Sequence, residues 1–152
     1  IFKGETINTP SMLCVEDYLD ALKWAKSIGG LNALIARADA NFAVLDRFTK
    51  QNGWLANLAV DPATRSNTSV CLSIVDPDVT ALDADGQAAF AKAVAAALEK
   101  EGVAYDIGAY RDAPPGLRIW CGATVETSDL EALLPWLEWA FANQKSALKA
   151  AA

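Results

Sequence analysis

The first third of the sequence is dominated by apolar residues at the three- and four-residue spacing of a helix. They form two stripes: Met12, Val15, Leu19 and Leu22, and then Leu31, Leu34, Ile35, Ala38, Phe42 and Leu45. Because glycines are typical helix ends, Gly29-Gly30 and Gly53 predict one helix from about Pro10 to Ser27 and a second to about Asn52. Any fold of this chain must therefore begin with two consecutive helices.

The sequence beyond Gly53 alternates short β-type segments with helical ones. Its composition predicts four strands, at residues 54–60, 69–75, 103–109 and 117–122. Helical spacing predicts a helix between the second and third strands and another after the fourth. Each of these elements must bury one face, so the order αα-ββα-ββα predicts the α/β class. The expected architecture is a two-layer α/β sandwich preceded by two long helices.

The ends of the two later helices carry their own signals. Asp83 or Asp85 is suited to cap the first of them. The run Ser-Asp-Leu-Glu at 128–131 has the spacing of a capping box and predicts the start of the last helix. Pro135 falls inside that helix and predicts a kink, and residues 145–152 are interpreted as a fraying tail.

Composition excludes several classes of function. With 13 basic and 19 acidic residues the net charge is −6, which argues against general binding to nucleic acid or to an anionic membrane. The absence of histidine excludes a histidine-based triad and most catalytic zinc sites, and we expect no metal. No apolar run approaches the roughly 20 residues that cross a bilayer, and no signal-peptide pattern is present. Cys14, Cys71 and Cys121 are predicted to be buried free thiols in a reducing compartment, so we expect a cytoplasmic protein.

The segment before the first helix has features of an anion-binding site. Thr9 is a good N-cap residue, and Pro10 suits the first helical position. The free amides of the helix start and the positive end of its dipole then point at Asn8 and Thr9, an arrangement that binds phosphate. The same residues are also those of an ordinary capped helix start, and this segment alone leaves both interpretations open.

Two arginines are candidates for binding an anionic ligand. Arg118 begins an apolar strand, where a guanidinium needs a carboxylate or phosphate partner. A salt bridge to Asp112, Glu126 or another acid would also satisfy it. Arg111 lies on the proline-rich loop just before that strand. The two arginines together predict a site for a doubly anionic small molecule, with two solvated side chains as the alternative.

Four segments, taken in order, carry a family resemblance. They are Phe-Lys-Gly-Glu-Thr-Ile-Asn-Thr-Pro-Ser-Met-Leu at 2–13, Trp24 with Ser-Ile-Gly-Gly-Leu at 27–31, Arg-Ser-Asn at 65–67 and Gly-Leu-Arg-Ile at 116–119. Together they resemble the C-terminal part of the phosphoserine aminotransferase family, among the class V pyridoxal-phosphate aminotransferases, in its alpha-proteobacterial variety. The likeness extends over essentially the whole chain.

The resemblance implies the C-terminal small domain of a fold-type I enzyme that uses pyridoxal 5′-phosphate and works as a homodimer. It implies exchange of an amino group between phosphoserine and 2-oxoglutarate in serine biosynthesis. By the same resemblance, Asn8 and Thr9 bind the cofactor phosphate of the partner subunit, and Arg118 binds the substrate carboxylate. Arg111 is the candidate for the substrate phosphate, although its loop is a residue longer than usual and Tyr110 stands where a histidine is common.

The resemblance also implies what these 152 residues lack. The family's cofactor-binding lysine, and the aspartate that pairs with the pyridine nitrogen, lie upstream of the Asn-Thr-Pro sequence. No catalytic residue is therefore expected here, and the chain alone is expected to be inactive. With no Met at its start, the sequence is interpreted as a C-terminal fragment. Residues 1–52 are expected to join an absent large domain to a small α/β domain of residues 53–152. Apolar residues expected to pack on that absent part are Met12, Leu19, Trp24, Trp136 and Trp139.

A free-standing small α/β module that binds an anionic metabolite or a protein partner is the alternative. Its support is the self-contained sandwich pattern and the paired arginines. The missing initiator Met and the surplus of apolar residues on the first two helices argue against it.

Overall fold

The computed structural model describes residues 3–151. In chain order the elements are helix α1 (Met12–Ser27), helix α2 (Gly30–Gln51), strand β1 (Leu55–Asn57), a 3-10 turn (Pro62–Thr64), strand β2 (Ser69–Ile74), helix α3 (Pro77–Thr80), helix α4 (Ala84–Lys100), strand β3 (Gly116–Trp120) and helix α5 (Thr127–Ala151). This combination of helices with a small sheet confirms the predicted α/β class. The chain divides into two compact units, residues 1–36 and 37–152, with the boundary inside α2. The functional division at residue 52 stays a prediction.

Helix α1 accounts for most of the first unit. It begins at Met12 rather than Pro10, because Ser11 is the N-cap. The backbone of Ser11 is extended, and its side chain accepts a hydrogen bond from the Cys14 N–H. The predicted cap at Thr9 is therefore wrong. No residue of α1 is buried, so its apolar stripe lies on the surface of the structure.

The second unit contains a three-stranded antiparallel sheet in the order β1-β2-β3. Leu55 pairs with Ile74 across the first two strands, and Cys71 pairs with Arg118 across the second two. Because side chains alternate along a strand, each strand presents two different faces. The buried face carries Leu55, Val70, Leu72, Ile74, Leu117 and Ile119, whereas Ser69, Cys71, Ser73 and Arg118 lie half-buried on the other.

Three helices complete the core beneath the buried face of the sheet. They contribute Val44, Leu45 and Phe48 from α2, Phe90, Ala91, Val94 and Leu98 from α4, and Leu130, Leu133, Leu137, Ala140 and Phe141 from α5. Trp54, just before β1, stacks on Phe141 with 4.1 Å between ring centroids. The sheet and these helices therefore share one continuous apolar core.

Residues 103–109, predicted as a strand, do not form one. After α4 the chain turns at Gly102, which has a φ of 69°, and folds back on the end of the helix instead of extending. Asp106 has a φ of 52°, in the left-handed region, which interrupts any extended run. The segment meets β3 through an isolated bridge at Gly108. The described sheet thus has three strands where four were predicted.

Helix α5 begins earlier than the sequence predicts. It starts at Thr127, so Ser128 lies inside the helix and the predicted capping box is wrong. The Thr127 hydroxyl donates instead to the side-chain oxygen of Asn41 on α2, at 2.7 Å. A tertiary contact has therefore replaced the local cap. Pro135 lies inside the helix, as predicted.

Ion pairs hold the second half of α5 to α3, a helix that the sequence did not predict. Lys145 Nζ lies 2.6 Å from Asp76 Oδ2 and 3.2 Å from Asp78 Oδ2. The hydrogen bond to Asp76 raises the pKa of Lys145, and the hydrogen bond from Lys145 lowers the pKa of Asp78. The helix continues to Ala151, so the prediction of a fraying tail from residue 145 is wrong over the described residues.

The three cysteines differ in burial. Cys14 is exposed, Cys71 is half-buried and Cys121 is fully buried, so the prediction of three buried thiols is right for Cys121 alone. Burial raises the pKa of the Cys121 thiol to about 12. Over residues 3–151, no helix is both long and apolar enough to cross a bilayer.

Candidate functional site

Arg118 lies at the middle of β3, and strand geometry decides which way its side chain points. Leu117 and Ile119 face the core, so alternation places Arg118 on the opposite face. Arg118 lines an open hollow of about 450 Å³. The walls of this hollow come from β3, from residues 103–107 and from the first turns of α5. This volume suits a small-molecule ligand.

Asp106 is the acidic partner of Arg118. Arg118 Nη2 donates to Asp106 Oδ2 at 3.0 Å and lies 3.5 Å from the carbonyl oxygen of the same residue. The sequence offered Asp112, Glu126 or another acid. The observed partner is that other acid, and Glu126 pairs with Arg37 instead. Arg118 therefore forms a salt bridge, as one of the two interpretations predicted, but its partner Asp106 was not among the acids named from the sequence.

The remaining nitrogens of the Arg118 guanidinium are not paired. Nε is buried and has no hydrogen-bond partner in the structure. Nη1 bonds to no described residue and is not buried. The Arg118 side chain as a whole is 33% exposed. A guanidinium binds carboxylate or phosphate best through two parallel N–H donors. Asp106 therefore leaves the cation incompletely paired at the edge of a hollow of ligand size.

Two exposed aromatic side chains border the same hollow. Trp120 is two residues beyond Arg118 and lies on the same face of β3, with its ring packed over Gly122. Tyr105 lines the hollow too, on the segment that also carries Asp106. Neither aromatic residue was predicted to belong to the site. The two-residue spacing of Trp120 from Arg118 was the available signal, whereas no strand pattern indicates Tyr105 or Asp106.

Arg111 lines a different hollow, of about 370 Å³, between the loop at 108–116 and α4. Lys92 on α4 lines it too, so two cations border this space. Tyr110 connects the two regions, because it borders both this hollow and a small cleft of about 30 Å³ that reaches Arg118. The structure thus places the two candidate arginines at neighbouring hollows rather than in one.

Asn8 and Thr9 belong to the first unit and lie in an irregular segment ahead of α1. Both are exposed, and neither side chain bonds to another described residue. The helix begins only at Met12, so the expected alignment of its first amides with Asn8 and Thr9 does not form. The two side chains offer only their own amide and hydroxyl donors.

The polar segment around Arg65 is structural. Arg65 Nε donates to the carbonyl oxygen of Ala59 at 3.0 Å, and its Nη1 pairs with Asp46 on α2 at 3.4 Å. The side-chain amide of Asn67 donates to Asp39, also on α2, at 2.7 Å. These contacts hold the β1–β2 connection to the helix. No group of acidic, cysteine or histidine side chains within residues 3–151 is arranged to hold a metal ion.

Comparison with known proteins gives two curated relatives. The sequence is 52% identical over 141 residues to the phosphoserine aminotransferase of Methanosarcina barkeri (strain Fusaro), which covers 93% of this chain and 35% of the relative. The same values hold for the phosphoserine aminotransferase of Methanosarcina mazei. The chain therefore spans about a third of the length of the curated relatives it matches, in their C-terminal part. No family profile matches the sequence.

Solved structures give the same fold. The phosphoserine aminotransferase from Bacillus circulans subsp. alkalophilus superposes with a TM-score of 0.74 and 21% identity, over 90% of this chain and 34% of that one. A second, from a study of radiation damage to the Schiff base in phosphoserine aminotransferase, has a TM-score of 0.72 and 18% identity, over 90% of this chain and 35% of that one. The predicted resemblance to this family is confirmed, whereas the alpha-proteobacterial variety stays a prediction.

Proposed function

We propose that this chain, whose sequence matches the C-terminal part of phosphoserine aminotransferases, supplies the substrate-carboxylate site of such an enzyme. The complete protein would exchange an amino group between phosphoserine and 2-oxoglutarate. The observation that carries this proposal is the incompletely paired guanidinium of Arg118, at a hollow of about 450 Å³. The identity of 52% to two proteins of that name supports the choice of substrates.

Arg118 is the residue we assign to the carboxylate. Phosphoserine and 2-oxoglutarate each carry a carboxylate next to the carbon that loses or gains the amino group. A single guanidinium can therefore bind both substrates in turn. Nη1 bonds to no described residue and gives Arg118 a free N–H donor, and Asp106 holds the guanidinium through Nη2. Such a charged pair orients the substrate as well as binding it.

Arg111 is our candidate for the phosphate of phosphoserine. Its guanidinium is exposed, and Lys92 lines the same hollow, which gives that space a positive character within an acidic protein. A phosphate carries close to two negative charges at neutral pH, and two nearby cations suit it. This assignment requires the bound substrate to reach past Tyr110, which borders the Arg111 hollow and the small cleft that reaches Arg118.

Asn8 and Thr9 fit the cofactor phosphate by the chemistry of their side chains. An amide N–H and a hydroxyl are neutral donors to phosphate oxygens, and both are exposed and bonded to no other described residue. We assign them to the cofactor phosphate of a partner subunit in a homodimer. Pyridoxal 5′-phosphate, when bound, stores the amino group between the two substrates. This chain's part is to hold the phosphate and to orient the substrate.

The exposed apolar residues of the first unit support burial against further polypeptide. Met12 and Leu31 are each 70% exposed, and Trp24 is 39% exposed. A concentration of exposed large apolar side chains is typical of an interface. We assign it to the remainder of the enzyme and its partner subunit. We also infer a cytoplasmic location, which the three free cysteines of the structure support.

A chimera tests the proposed function. In the Methanosarcina mazei protein, the matched 141-residue segment is replaced by this chain, and glutamate formation from phosphoserine and 2-oxoglutarate is measured. We expect activity within about tenfold of the parent. This chain supplies the site that binds the substrate carboxylate, and the rest of the parent enzyme supplies the chemistry. The unmodified parent is the control.

A chimera that melts cooperatively and retains cofactor, yet forms no glutamate from phosphoserine, contradicts the proposal. Binding of inorganic phosphate by that inactive chimera, lost in Arg111→Gln, would support the alternative of a small anion-binding module.

A further inference from the structure

Asp106 has an unusual backbone conformation for its residue type. Its φ of 52° is positive, and no other non-glycine residue within 3–151 shares that feature. Aspartate tolerates the left-handed region better than most residues, and the hydrogen bond that the Asp106 side chain accepts comes from Arg118, 12 positions away. A conformation of this kind persists where surrounding structure requires it, and such positions are concentrated at functional sites.

The left-handed turn brings two oxygens of Asp106 to one nitrogen of Arg118. The carboxylate Oδ2 lies 3.0 Å from Nη2, and the backbone carbonyl oxygen lies 3.5 Å from it. The neighbouring residue contributes a third contact, because the Arg118 backbone N–H donates to the carbonyl oxygen of Ile107 at 2.8 Å. Asp106 and Ile107 therefore contact Arg118 at both its backbone and its side chain.

This pairing contributes little to the stability of the fold. The Asp106 side chain is 91% exposed, and an ion pair with one partner so accessible is weakened by solvent. Its consequence is geometric. With Nη2 held by Asp106 and Nε buried, Nη1 is the guanidinium nitrogen that is neither buried nor bonded to a described residue.

We propose that Asp106 is a positioning residue that orients the Arg118 guanidinium for a ligand carboxylate. This inference rests on the proposed function, in which Arg118 binds the substrate. The opposing possibility is that Asp106 occupies the place of the substrate carboxylate and competes with it. The two possibilities predict opposite changes in affinity when the carboxylate of Asp106 is removed.

The test uses Asp106→Gly and Asp106→Asn in the active chimera. Glycine accepts the left-handed backbone without strain but offers no side-chain acceptor, so it separates the carboxylate from the turn. Asparagine also tolerates the turn and keeps a neutral oxygen acceptor. Asp85→Asn is the matched control, because Asp85 is exposed in the first turn of α4 and lines neither the Arg118 hollow nor the Arg111 hollow.

We expect Asp106→Gly to raise the KM of both phosphoserine and 2-oxoglutarate about fivefold, with kcat within twofold and the melting temperature unchanged. Asp106→Asn is expected to keep KM close to the native value, because its amide oxygen still accepts from Arg118. Asp85→Asn is expected to change neither KM nor kcat. Unchanged or lowered KM values in Asp106→Gly would overturn the proposal, as would a joint fall in kcat and melting temperature.

A second measurement does not depend on turnover. The dissociation constant of glutarate, a dicarboxylate that cannot react, is measured calorimetrically for the same variants. The proposal predicts about fivefold weaker binding in Asp106→Gly and is overturned if that constant does not change. Failure of the proposed function is distinguishable, because the chimera with the native Asp106 would then lack transaminase activity.

Discussion

Asn41 and Thr127 lie 86 positions apart in the sequence and are joined by a hydrogen bond of 2.7 Å. Asn41 is fully buried, and its amide nitrogen also lies within 3.2 Å of the carbonyl oxygens of Cys121, Gly122 and Val125. One side chain of α2 therefore fixes the turn that follows β3 and the first residue of α5. This contact, rather than a local cap, sets where the last helix begins.

Asn41→Ala is expected to destabilise the protein by about 2–4 kcal/mol. The substitution leaves several buried carbonyl oxygens and the Thr127 hydroxyl without their partner, and each such group is costly. Urea unfolding followed by circular dichroism gives the free energy of unfolding. Asn32→Ala is the control, since Asn32 is exposed on the same helix. Equal losses in the two variants would show that the Asn41 network does not stabilise the fold.

Gly116→Ala is expected to destabilise by about 1–3 kcal/mol, because an added Cβ would overlap the backbone carbonyl of Leu72 on β2. A flexible side chain could move aside, but a paired strand cannot. Gly108→Ala provides the comparison, since a Cβ there meets no atom within 4 Å. The prediction concerns the difference between their melting temperatures, and a Gly116 variant as stable as the Gly108 variant would contradict it.

The contribution of Lys145 to stability is expected to depend on pH. Because the pKa of Lys145 is raised in the folded protein, Lys145 stabilises the fold fully below its ordinary pKa of 10.5. This stabilisation is lost as pH rises through the higher pKa of the folded state. Because the pKa of Asp78 is lowered in the folded protein, Asp78 stabilises the fold fully above its ordinary pKa of 3.8. This stabilisation is lost as pH falls through the lower pKa of the folded state.

Lys145→Met should therefore lower the free energy of unfolding by a constant amount between about pH 5 and pH 9. The difference in free energy from the native chain should narrow as pH falls below 3.8. Urea titrations across this range measure the difference. Lys92→Met is the control, because Lys92 forms no ion pair with a described residue. A difference that stays constant into acid would contradict the ionic origin.

Alkylation should distinguish the three cysteines. Cys121 is fully buried and its pKa is raised to about 12, so almost none of it is thiolate at pH 8, whereas Cys14 is exposed. Iodoacetamide followed by peptide mass mapping is expected to modify Cys14 in the folded protein and Cys121 only after unfolding in urea. Equal rates for the two thiols in the folded protein would be incompatible with the burial of Cys121.

Sequence pattern predicted the elements whose determinants are local. Helical spacing and Gly29-Gly30 located α1 and α2, and β-branched composition located β2. Asp83 was one of two proposed caps, and its side chain does accept from the Gly86 N–H. In each of these, the residues that decide the structure lie within a few positions of one another.

The errors arose where a distant contact decides. Residues 103–109 have strand composition, but the left-handed turn at Asp106 serves a contact with Arg118, which no local pattern encodes. Lys145 was predicted to lie in a fraying tail, because the sequence does not show that Asp76 and Asp78, at the start of α3, lie beside it. Arg118 itself was identified because an arginine in an apolar strand is anomalous, whereas its partner lies in an ordinary loop.

Replacement of Arg118 tests the carboxylate site itself. In the active chimera, Arg118→Gln removes the charge, and we expect kcat/KM to fall about a hundredfold for both phosphoserine and 2-oxoglutarate. This corresponds to the loss of about 3 kcal/mol of charge-assisted hydrogen bonding. Arg111→Gln should affect phosphoserine alone, because 2-oxoglutarate has no phosphate. A chimera whose kcat/KM for both substrates stays within about threefold after Arg118→Gln would contradict the assignment of Arg118 to the substrate carboxylate.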